Sequence, residues 1–232
     1  MLECQSTTLI KLLLRRQQSF SKAMTLFPVV MPVIEAGHKP QGKEQVAHLS
    51  RIAREALKLS AEKSQVKLGE LLKDEKGVPC PVAGIYWSLS HKPEYVAAVV
   101  SKNRVGIDIE EIKARDELLF AHVASDEEWE LKGRSWDTFF RYWTAKEAIL
   151  KVIGIGISGL KTCRIISVPD ENHIALDYKG QFFLVEQLKY KNQIVSVLKN
   201  DDQIEWVVLF KSPIPSTKSW TNLKAQFEEV GH

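Results

Sequence analysis

Apolar residues in the first half of the chain follow a helical spacing and then an extended one. From Glu44 onward they recur every three or four residues and predict an amphipathic helix, through Val46, Leu49, Ala53, Ala56 and Leu57. The segments Tyr86–His91 and Tyr95–Val100 have the composition of strands and flank a turn at Lys92-Pro93. The first half therefore predicts one helix beside a pair of strands.

The second half shows the same two patterns. Residues 104–110 alternate as a strand does, Ser135 is suited to cap a helix, and the glycines from Gly154 end that helix. Five further strands are predicted at Cys163–Val168, His173–Tyr178, Gln181–Gln187, Gln193–Leu198 and Ile204–Phe210. Each half thus combines a helix with a group of strands, which favours an α+β fold.

The second predicted helix carries a carboxylate on its apolar face. Phe140, Trp143, Glu147 and Leu150 recur at spacings of three and four, so they share one side of the helix. An ionised glutamate beside aromatic rings is costly unless a cation or a metal pairs with it. Taken alone, the segment is explained more simply by a surface pair between Glu147 and Lys151, one turn on.

The strand before this helix presents two more carboxylates. Asp108 and Glu110 point to one face of the predicted strand, and Ile107 and Ile109 point to the other. Oxygen ligands in this pattern suit Mg²⁺, although a solvated acidic turn at an edge strand is the simpler interpretation. Glu147 supports the interpretation as a magnesium site if it supplies a third ligand from a helix packed on the strand.

Composition limits the class of protein. The chain has 232 residues, of which 44% are hydrophobic and 26% charged, as in one globular domain or two small ones. Its three cysteines (Cys4, Cys80, Cys163) fit neither a disulfide framework nor a zinc site, and predict a reducing, cytoplasmic compartment. No apolar run approaches the length of a membrane span.

The two ends of the chain stand apart from these patterns. Leu9–Arg16 is apolar and closed by arginines, which fits a signal peptide poorly. We expect a first packing element, or an extension ahead of a start near Met24. Residues 213–232 carry no recognisable chemistry.

Three motifs occur in an order and spacing that identify a family. They are Ser90-His91 at a strand end, Gly106-Ile107-Asp108-Ile109-Glu110, and the segment Trp143–Lys151, which reads Trp-Thr-Ala-Lys-Glu-Ala-Ile-Leu-Lys. Together they resemble the 4′-phosphopantetheinyl transferase superfamily, in the longer single-chain type of the surfactin-synthetase-activating enzyme. The resemblance extends from Lys43 to the strands near Phe210.

The resemblance implies a fold and a place for the active site. We expect a pseudo-twofold pair of similar α+β halves, each a helix packed on a small, mostly antiparallel sheet. The halves would be residues 1–105, on the side of the coenzyme A 3′-phosphate, and residues 106–232, with the metal and the catalytic helix. The active site would lie in the cleft between them.

The resemblance also implies an activity, that of a holo-[acyl-carrier-protein] synthase. Such an enzyme transfers the 4′-phosphopantetheine arm of coenzyme A to a serine of an apo carrier protein of fatty-acid or polyketide biosynthesis, and releases adenosine 3′,5′-bisphosphate. Asp108, Glu110 and Glu147 match the Mg²⁺ ligands, with Mn²⁺ as a substitute. Glu147, or a metal-bound water that it orients, is the candidate base, and Lys151 would stabilise the developing charge.

Coenzyme A binding is implied for a further set of residues. Ser90 and His91 match positions near the 3′-phosphate, and the other candidates are Arg51, Arg54, Lys76, Lys92 and Lys146. Many members have Gly-Lys-Pro before the Ser-His strand, whereas this chain has Gly77-Val78-Pro79. Lys76 or Lys92 would then replace the missing lysine.

Two other functions remain open at this point. A magnesium-dependent nuclease or phosphohydrolase also uses Glu-x-Lys, as in Glu111-Ile112-Lys113, but Asp108 lies too close in sequence to face it across a sheet. The net charge of +3 is also modest for a nucleic-acid enzyme. The second alternative is a non-catalytic relative that binds carrier proteins.

The expected partners are an apo acyl or peptidyl carrier protein and coenzyme A, without nucleic acid or membrane, and we expect a monomer. Phe120 and Trp129 lie in an acidic segment that joins the strand of Asp108 to the helix of Glu147. We expect at least one of these two rings to be exposed and to anchor the carrier. The alternative is that both rings pack under the helix that holds Trp143.

Overall fold

The computed structural model describes residues 23–34 and 40–210, and the expectations for residues 1–22 and 211–232 lie outside them. The helices are α1 (Gly42–Lys63), α2 (Phe120–Val123), α3 (Asp126–Glu130) and α4 (Trp136–Ile153), with 3₁₀ turns at Glu117–Leu119 and Gly156–Gly159. The strands are β1 (Thr25–Leu26), β2 (Val29–Pro32), β3 (Tyr86–His91), β4 (Tyr95–Ser101), β5 (Ile107–Glu111), β6 (Cys163–Ser167), β7 (His173–Tyr178), β8 (Gln181–Tyr190), β9 (Gln193–Leu198), β10 (Gln203–Ile204) and β11 (Val207–Val208). The fold is α+β, as predicted.

The first half packs α1 on a four-stranded sheet. The strand order is β11-β2-β4-β3, and β2, β4 and β3 pair antiparallel. The apolar face of α1 is buried on this sheet, as its spacing predicts, except that Val46 is exposed. The Ser60 hydroxyl donates to the carbonyl of Phe27 and accepts from the amide of Val100, so it ties the end of the helix to the sheet.

The second half packs α4 on a five-stranded antiparallel sheet of order β5-β9-β8-β7-β6. Ser135 caps α4 by accepting from the amide of Thr138, and Gly154 ends it in the left-handed conformation that glycine adopts readily. Both helix ends were predicted. The polar residue Thr144 is buried against the sheet, where its hydroxyl lies 2.7 Å from that of Ser196.

The last described strands leave the second half. The segment predicted as one strand, Ile204–Phe210, includes only the last residue of β10 and the short β11. These two strands pair parallel to β1 and β2 of the first half. Strand pairing therefore crosses the predicted boundary between residues 105 and 106. The two halves as separate units, and the twofold relation between them, remain predictions.

The aromatic residues predicted as an exposed carrier anchor belong to the core instead. Trp129 is buried, stacks on Tyr142 and donates its indole N–H to the carbonyl of Ala124. Phe120 is half-buried and contacts the rings of Trp129 and Phe139 edge-on. The expectation of an exposed aromatic patch is wrong, because α2 and α3 fold their rings under α4.

In the described residues, no helix combines the length and the apolar character that crossing a membrane requires.

The close approach of α4 to the start of β5 depends on Gly106. A Cβ atom at this position would overlap the carbonyl oxygen of Ala148 in α4, and it would also press on a methyl group of Val152. Because the blocking atom is a backbone oxygen of a buried helix, it has little freedom to move. The glycine therefore lets the strand that carries Asp108 lie directly against the helix that carries Glu147.

Gly106→Ala is expected to lower the free energy of unfolding by about 3 kcal/mol, because the new methyl group forces α4 away from β5. Denaturant unfolding followed by circular dichroism measures this change. Gly133→Ala is the control: it meets no atom within 4 Å but has φ of +80°, so only about 1 kcal/mol of backbone strain is expected. Equal losses for the two variants would contradict the packing argument.

Candidate active site

The three motifs meet where β3 of the first sheet runs beside β5 of the second. The amide of Ile107 donates to the Ser88 hydroxyl at 3.1 Å, and the Ser90 hydroxyl donates to Asp108 Oδ1 at 2.7 Å. These bonds cross from one sheet to the other. We call this junction of β3, β5 and α4 the seam.

The carboxylates of β5 face the seam, as the alternation predicted. Asp108 and Glu110 are buried on the side of α4, while Ile107 and Ile109 are packed in a core cluster on the other side. The indole N–H of Trp143 donates to Glu110 Oε1 at 3.2 Å, so this carboxylate is held from the helix.

Two lysines neutralise these carboxylates. Lys151 Nζ lies 2.8 Å from Asp108 Oδ1 and also donates to the carbonyl of Ile107 at 2.8 Å. Lys92 Nζ lies 2.6 Å from Glu110 Oε1. Lys151 therefore pairs with Asp108, and the simpler interpretation of a surface pair between Glu147 and Lys151 is wrong.

Glu147 reaches the seam from α4 and is half-buried. Its Oε1 atom, like Asp108 Oδ2, is buried without a hydrogen-bond partner in the described part of the chain. Burial and then the charge of Asp108 raise the pKa of Glu147, and burial also raises the pKa of Glu110 against the opposing effect of Lys92. Buried acceptors without donors are costly, and an added cation would satisfy them.

The residues present fit a divalent cation in the chemistry of their donors. Three carboxylates, two of which have a buried oxygen without a partner, form the kind of oxygen-only set that Mg²⁺ prefers. Within residues 23–34 and 40–210, however, no three His, Cys, Asp or Glu side chains already stand in an arrangement that could hold a metal. Lys92 and Lys151 take up the carboxylate oxygens instead.

Positive charge surrounds His91 at the end of β3. Burial is the main cause that lowers the pKa of His91, and the charges of Lys151, Lys92 and Lys73 lower it further. A neutral imidazole among three ammonium groups is a suitable setting for an anion with more than one charge. The Ser90 hydroxyl, in contrast, donates its hydrogen bond to Asp108, so the prediction of a direct phosphate ligand fits His91 better than Ser90.

A cavity of about 520 Å³ opens beside the seam. Its walls include Lys151 and, on a loop of the first half, Lys73 and Lys76. Val78, which stands at the position where many family members have lysine, lies beside Gly154 in the cavity wall. Lys73 was not predicted, because it lies ahead of the Gly-x-Pro segment and belongs to no motif. Its backbone pairs with Pro79, and this bridge brings Lys73 to the cavity.

Three predicted coenzyme A ligands lie elsewhere. Arg51 and Arg54 are exposed on α1 and do not line the cavity, and Arg51 contacts the neighbouring His48 ring. Lys146 is fully buried and pairs with Glu128 at 2.7 Å. The assignment of Lys146 to coenzyme A is wrong, because successive residues of a helix point about 100° apart and Lys146 faces the core when Glu147 faces the seam.

The Glu128 carboxylate ties three elements together in the core. It accepts from the amide of Ser125 in the capping box of α3 and from the amide of Ile165 in β6. Lys146 donates to it and to the carbonyl of Val123 at 2.7 Å. Burial lowers the pKa of Lys146, and the charge of Glu128 opposes this effect.

Comparison with known proteins gives relatives for most of the described chain. The family model "4′-phosphopantetheinyl transferase superfamily" matches residues 104–207. The 4′-phosphopantetheinyl transferase AcpT of Salmonella typhi is 31% identical over 57% of this chain and 71% of its own length. A protein of Haemophilus influenzae, provisionally named a 4′-phosphopantetheinyl transferase, is 33% identical over 62% of this chain and 64% of its own.

Other relatives match a shorter segment. The 4′-phosphopantetheinyl transferase HetI of Nostoc is 35% identical over 38% of this chain and 41% of its own length. Among the relatives from Haemophilus influenzae, Aneurinibacillus migulanus, Nostoc and Bacillus pumilus, the chain covers between 38% and 64% of each protein.

Lys146→Met is expected to lower the free energy of unfolding by about 3 kcal/mol, because it leaves Glu128 buried without a counterion. Coenzyme A affinity of the folded variant should be unchanged, since Lys146 does not reach the seam. Denaturant unfolding and calorimetric titration with coenzyme A measure the two effects, with Lys161→Met at an exposed position as the control. A stable variant with weakened coenzyme A binding would return Lys146 to the ligand set.

Proposed function

The chain belongs to the 4′-phosphopantetheinyl transferase superfamily, and we propose that it transfers the 4′-phosphopantetheine arm of coenzyme A to a serine of an apo carrier protein. The products are the holo carrier protein and adenosine 3′,5′-bisphosphate. The observation that carries the proposal is the meeting of all three family motifs at the seam, where Ser90, Asp108 and Lys151 are joined by direct hydrogen bonds.

The acidic side of the seam suits a divalent cation. Asp108, Glu110 and Glu147 would hold Mg²⁺, or Mn²⁺ in its place, and the unpartnered oxygens of Asp108 and Glu147 support this assignment. A divalent cation supplies charge neutralisation on the pyrophosphate of coenzyme A when it is bound. Breaking the pyrophosphate bond requires this neutralisation, since negative charge builds up on the departing phosphate.

The basic side of the seam suits the phosphates of coenzyme A. Lys73, Lys76 and Lys151 line the cavity, and the first two have no carboxylate partner among the described residues. His91 would bind the 3′-phosphate with the help of the lysines around it. Lys151 would stabilise the phosphate that leaves, because it lines the cavity and also contacts Asp108.

The carrier serine needs a base, and Glu147 is the candidate. Burial and the neighbouring Asp108 raise its pKa, so its carboxylate accepts a proton more readily than a solvated glutamate does. The proton of the serine would pass to Glu147 directly or through a water that it orients. Attack on the phosphorus in line with the departing oxygen then transfers the arm.

The nuclease alternative loses support in the structure. Its Glu-x-Lys pair would need Glu111 and Lys113 to turn toward Asp108. Glu111 instead pairs with Lys113 at the surface end of β5, and Lys113 is exposed. The two residues therefore form a local surface ion pair, outside the seam.

Intact mass measurement tests the transfer directly. The full chain, coenzyme A and Mg²⁺ are incubated with purified apo carrier proteins, and a gain of one phosphopantetheine arm identifies the reaction and the carrier together. Asp108→Asn and Glu147→Gln should each lower the rate at least about a hundredfold, because each removes a negatively charged ligand of the cation that would neutralise the pyrophosphate. Glu111→Gln is the matched control on the same strand and should retain the rate.

Wild-type rates for Asp108→Asn or Glu147→Gln with folded protein would overturn the carboxylate assignment. Failure of every fatty-acid, polyketide and peptide carrier to gain mass would overturn the transferase itself.

His91→Ala is expected to weaken coenzyme A binding roughly tenfold, because it removes a donor to the 3′-phosphate. Binding of 3′-dephospho-coenzyme A, which lacks that phosphate, should change little. Calorimetric titration with both compounds measures the difference, and Ser158→Ala at the cavity wall is the control. Equal weakening of both compounds would place His91 against another part of the molecule.

A further inference from the structure

Two lysines neutralise part of the negative charge at the seam. Two of its three carboxylates are paired with lysines, Glu110 with Lys92 at 2.6 Å and Asp108 with Lys151 at 2.8 Å. A cation that binds these carboxylates must therefore displace an ammonium group from at least one of them. The structure identifies which lysine is easier to displace.

The two lysines are held very differently. Lys151 donates to Asp108 and to the carbonyl oxygens of Ile107 and Leu89, so its ammonium group is fixed by three acceptors. For Lys92, the described residues provide a single side-chain partner, Glu110. Moving Lys92 breaks one interaction, whereas moving Lys151 breaks three.

The position of Lys92 leaves its side chain room to move. Its backbone is fixed in the hairpin between β3 and β4, where its amide donates to the carbonyl of Tyr95 at 2.8 Å. Its side chain is 32% exposed, against 12% for Glu110, which Trp143 also holds from α4. In this pair the carboxylate is the more buried and more firmly held partner, so the ammonium group is the easier one to displace.

We propose that Lys92 is an internal counterion that pairs with Glu110 when no divalent cation is bound and releases it when a cation binds. The released ammonium group then serves the phosphates of coenzyme A, beside His91. This inference rests on the proposed function, because it assumes that Glu110 is a ligand of the cation. It adds a role for Lys92 that its place after the Ser-His motif does not assign.

The exchange couples the two ligands of the seam. In the resting protein Lys92 competes with the cation for Glu110, so it weakens cation binding. Once released, it adds a positive charge next to His91, where Lys151 and Lys73 already act, so it strengthens anion binding. Because coupling between two sites is reciprocal, a bound anion that holds Lys92 must in turn strengthen cation binding.

The proposal predicts opposite effects of one substitution on two ligands. Mn²⁺ alone is titrated into the full chain by calorimetry, without coenzyme A. Lys92→Met should bind Mn²⁺ about tenfold more tightly than the wild type, because the competing ammonium group is gone. With saturating Mn²⁺, the same variant should bind adenosine 3′,5′-bisphosphate about tenfold more weakly, because the released charge is missing.

Two control variants separate the exchange from general effects. Lys113→Met removes the same charge from the ion pair of the adjacent Glu111 and should change Mn²⁺ affinity less than twofold. Lys92→Arg keeps a cation for Glu110 and should stay near wild-type Mn²⁺ affinity. Thermal melting verifies that each variant is folded. A variant that does not fold would lose affinity for both ligands together.

The outcomes distinguish this proposal from the proposed function. In one outcome, Glu110→Gln loses Mn²⁺ binding while Lys92→Met binds Mn²⁺ as the wild type does or more weakly. This result would overturn the role of Lys92 as a counterion and would keep Glu110 as a ligand of the cation. Mn²⁺ binding that is unchanged in Glu110→Gln overturns both. Tighter Mn²⁺ binding in Lys113→Met, equal to that in Lys92→Met, would reduce the effect to net charge and overturn the exchange.

Discussion

Asp108 connects the parts of the molecule on which the active site depends. Its Oδ1 atom accepts from Ser90 of β3 and from Lys151 of α4, and its backbone pairs with β9 of the second sheet. One carboxylate thus joins both sheets and the helix. This contact is possible because Gly106 has no side chain and lets β5 approach the backbone of α4.

The orientation of α4 is the second condition for the site. Lys146 and Glu147 are neighbours on this helix, and they face opposite environments: one is paired with Glu128 in the core, the other reaches the seam. A buried ion pair contributes little net stability, since the loss of solvation offsets the attraction. Its effect here is to fix the rotation of the helix, because any other rotation would leave Glu128 unpaired and turn Glu147 away.

The sequence predicted the features that depend on local patterns. The alternation around Asp108 and Glu110, the cap at Ser135 and the break at Gly154 all follow from period, capping and backbone preference, and the structure contains them. The spacing of Glu147 with apolar neighbours also raised the possibility of a carboxylate paired with a cation, beside the simpler interpretation of a surface pair with Lys151. Most of the fold and the acidic side of the site were therefore accessible to sequence reasoning.

The features that the sequence did not predict depend on contacts between distant segments. Phe120 and Trp129 stand among charged residues, and only the packing of α2 and α3 under α4 makes them core residues. Lys73 reaches the cavity through a bridge to Pro79, which leaves no periodic signal. The ion pair between Lys146 and Glu128 was also not predicted, because Glu128 lies outside the family motif.

The arrangement of charge at the seam has a physical explanation that joins these observations. Burial is the main cause that raises the pKa values of Glu110 and Glu147, and the negative charge of the neighbouring Asp108 raises both further. A lysine held by few contacts suits the proposed cation site better than a firmly held one, because a carboxylate must lose its lysine before it can bind a cation. The firmly held lysine contacts Asp108, and the less firmly held one contacts Glu110, so the proposed exchange would begin at Glu110.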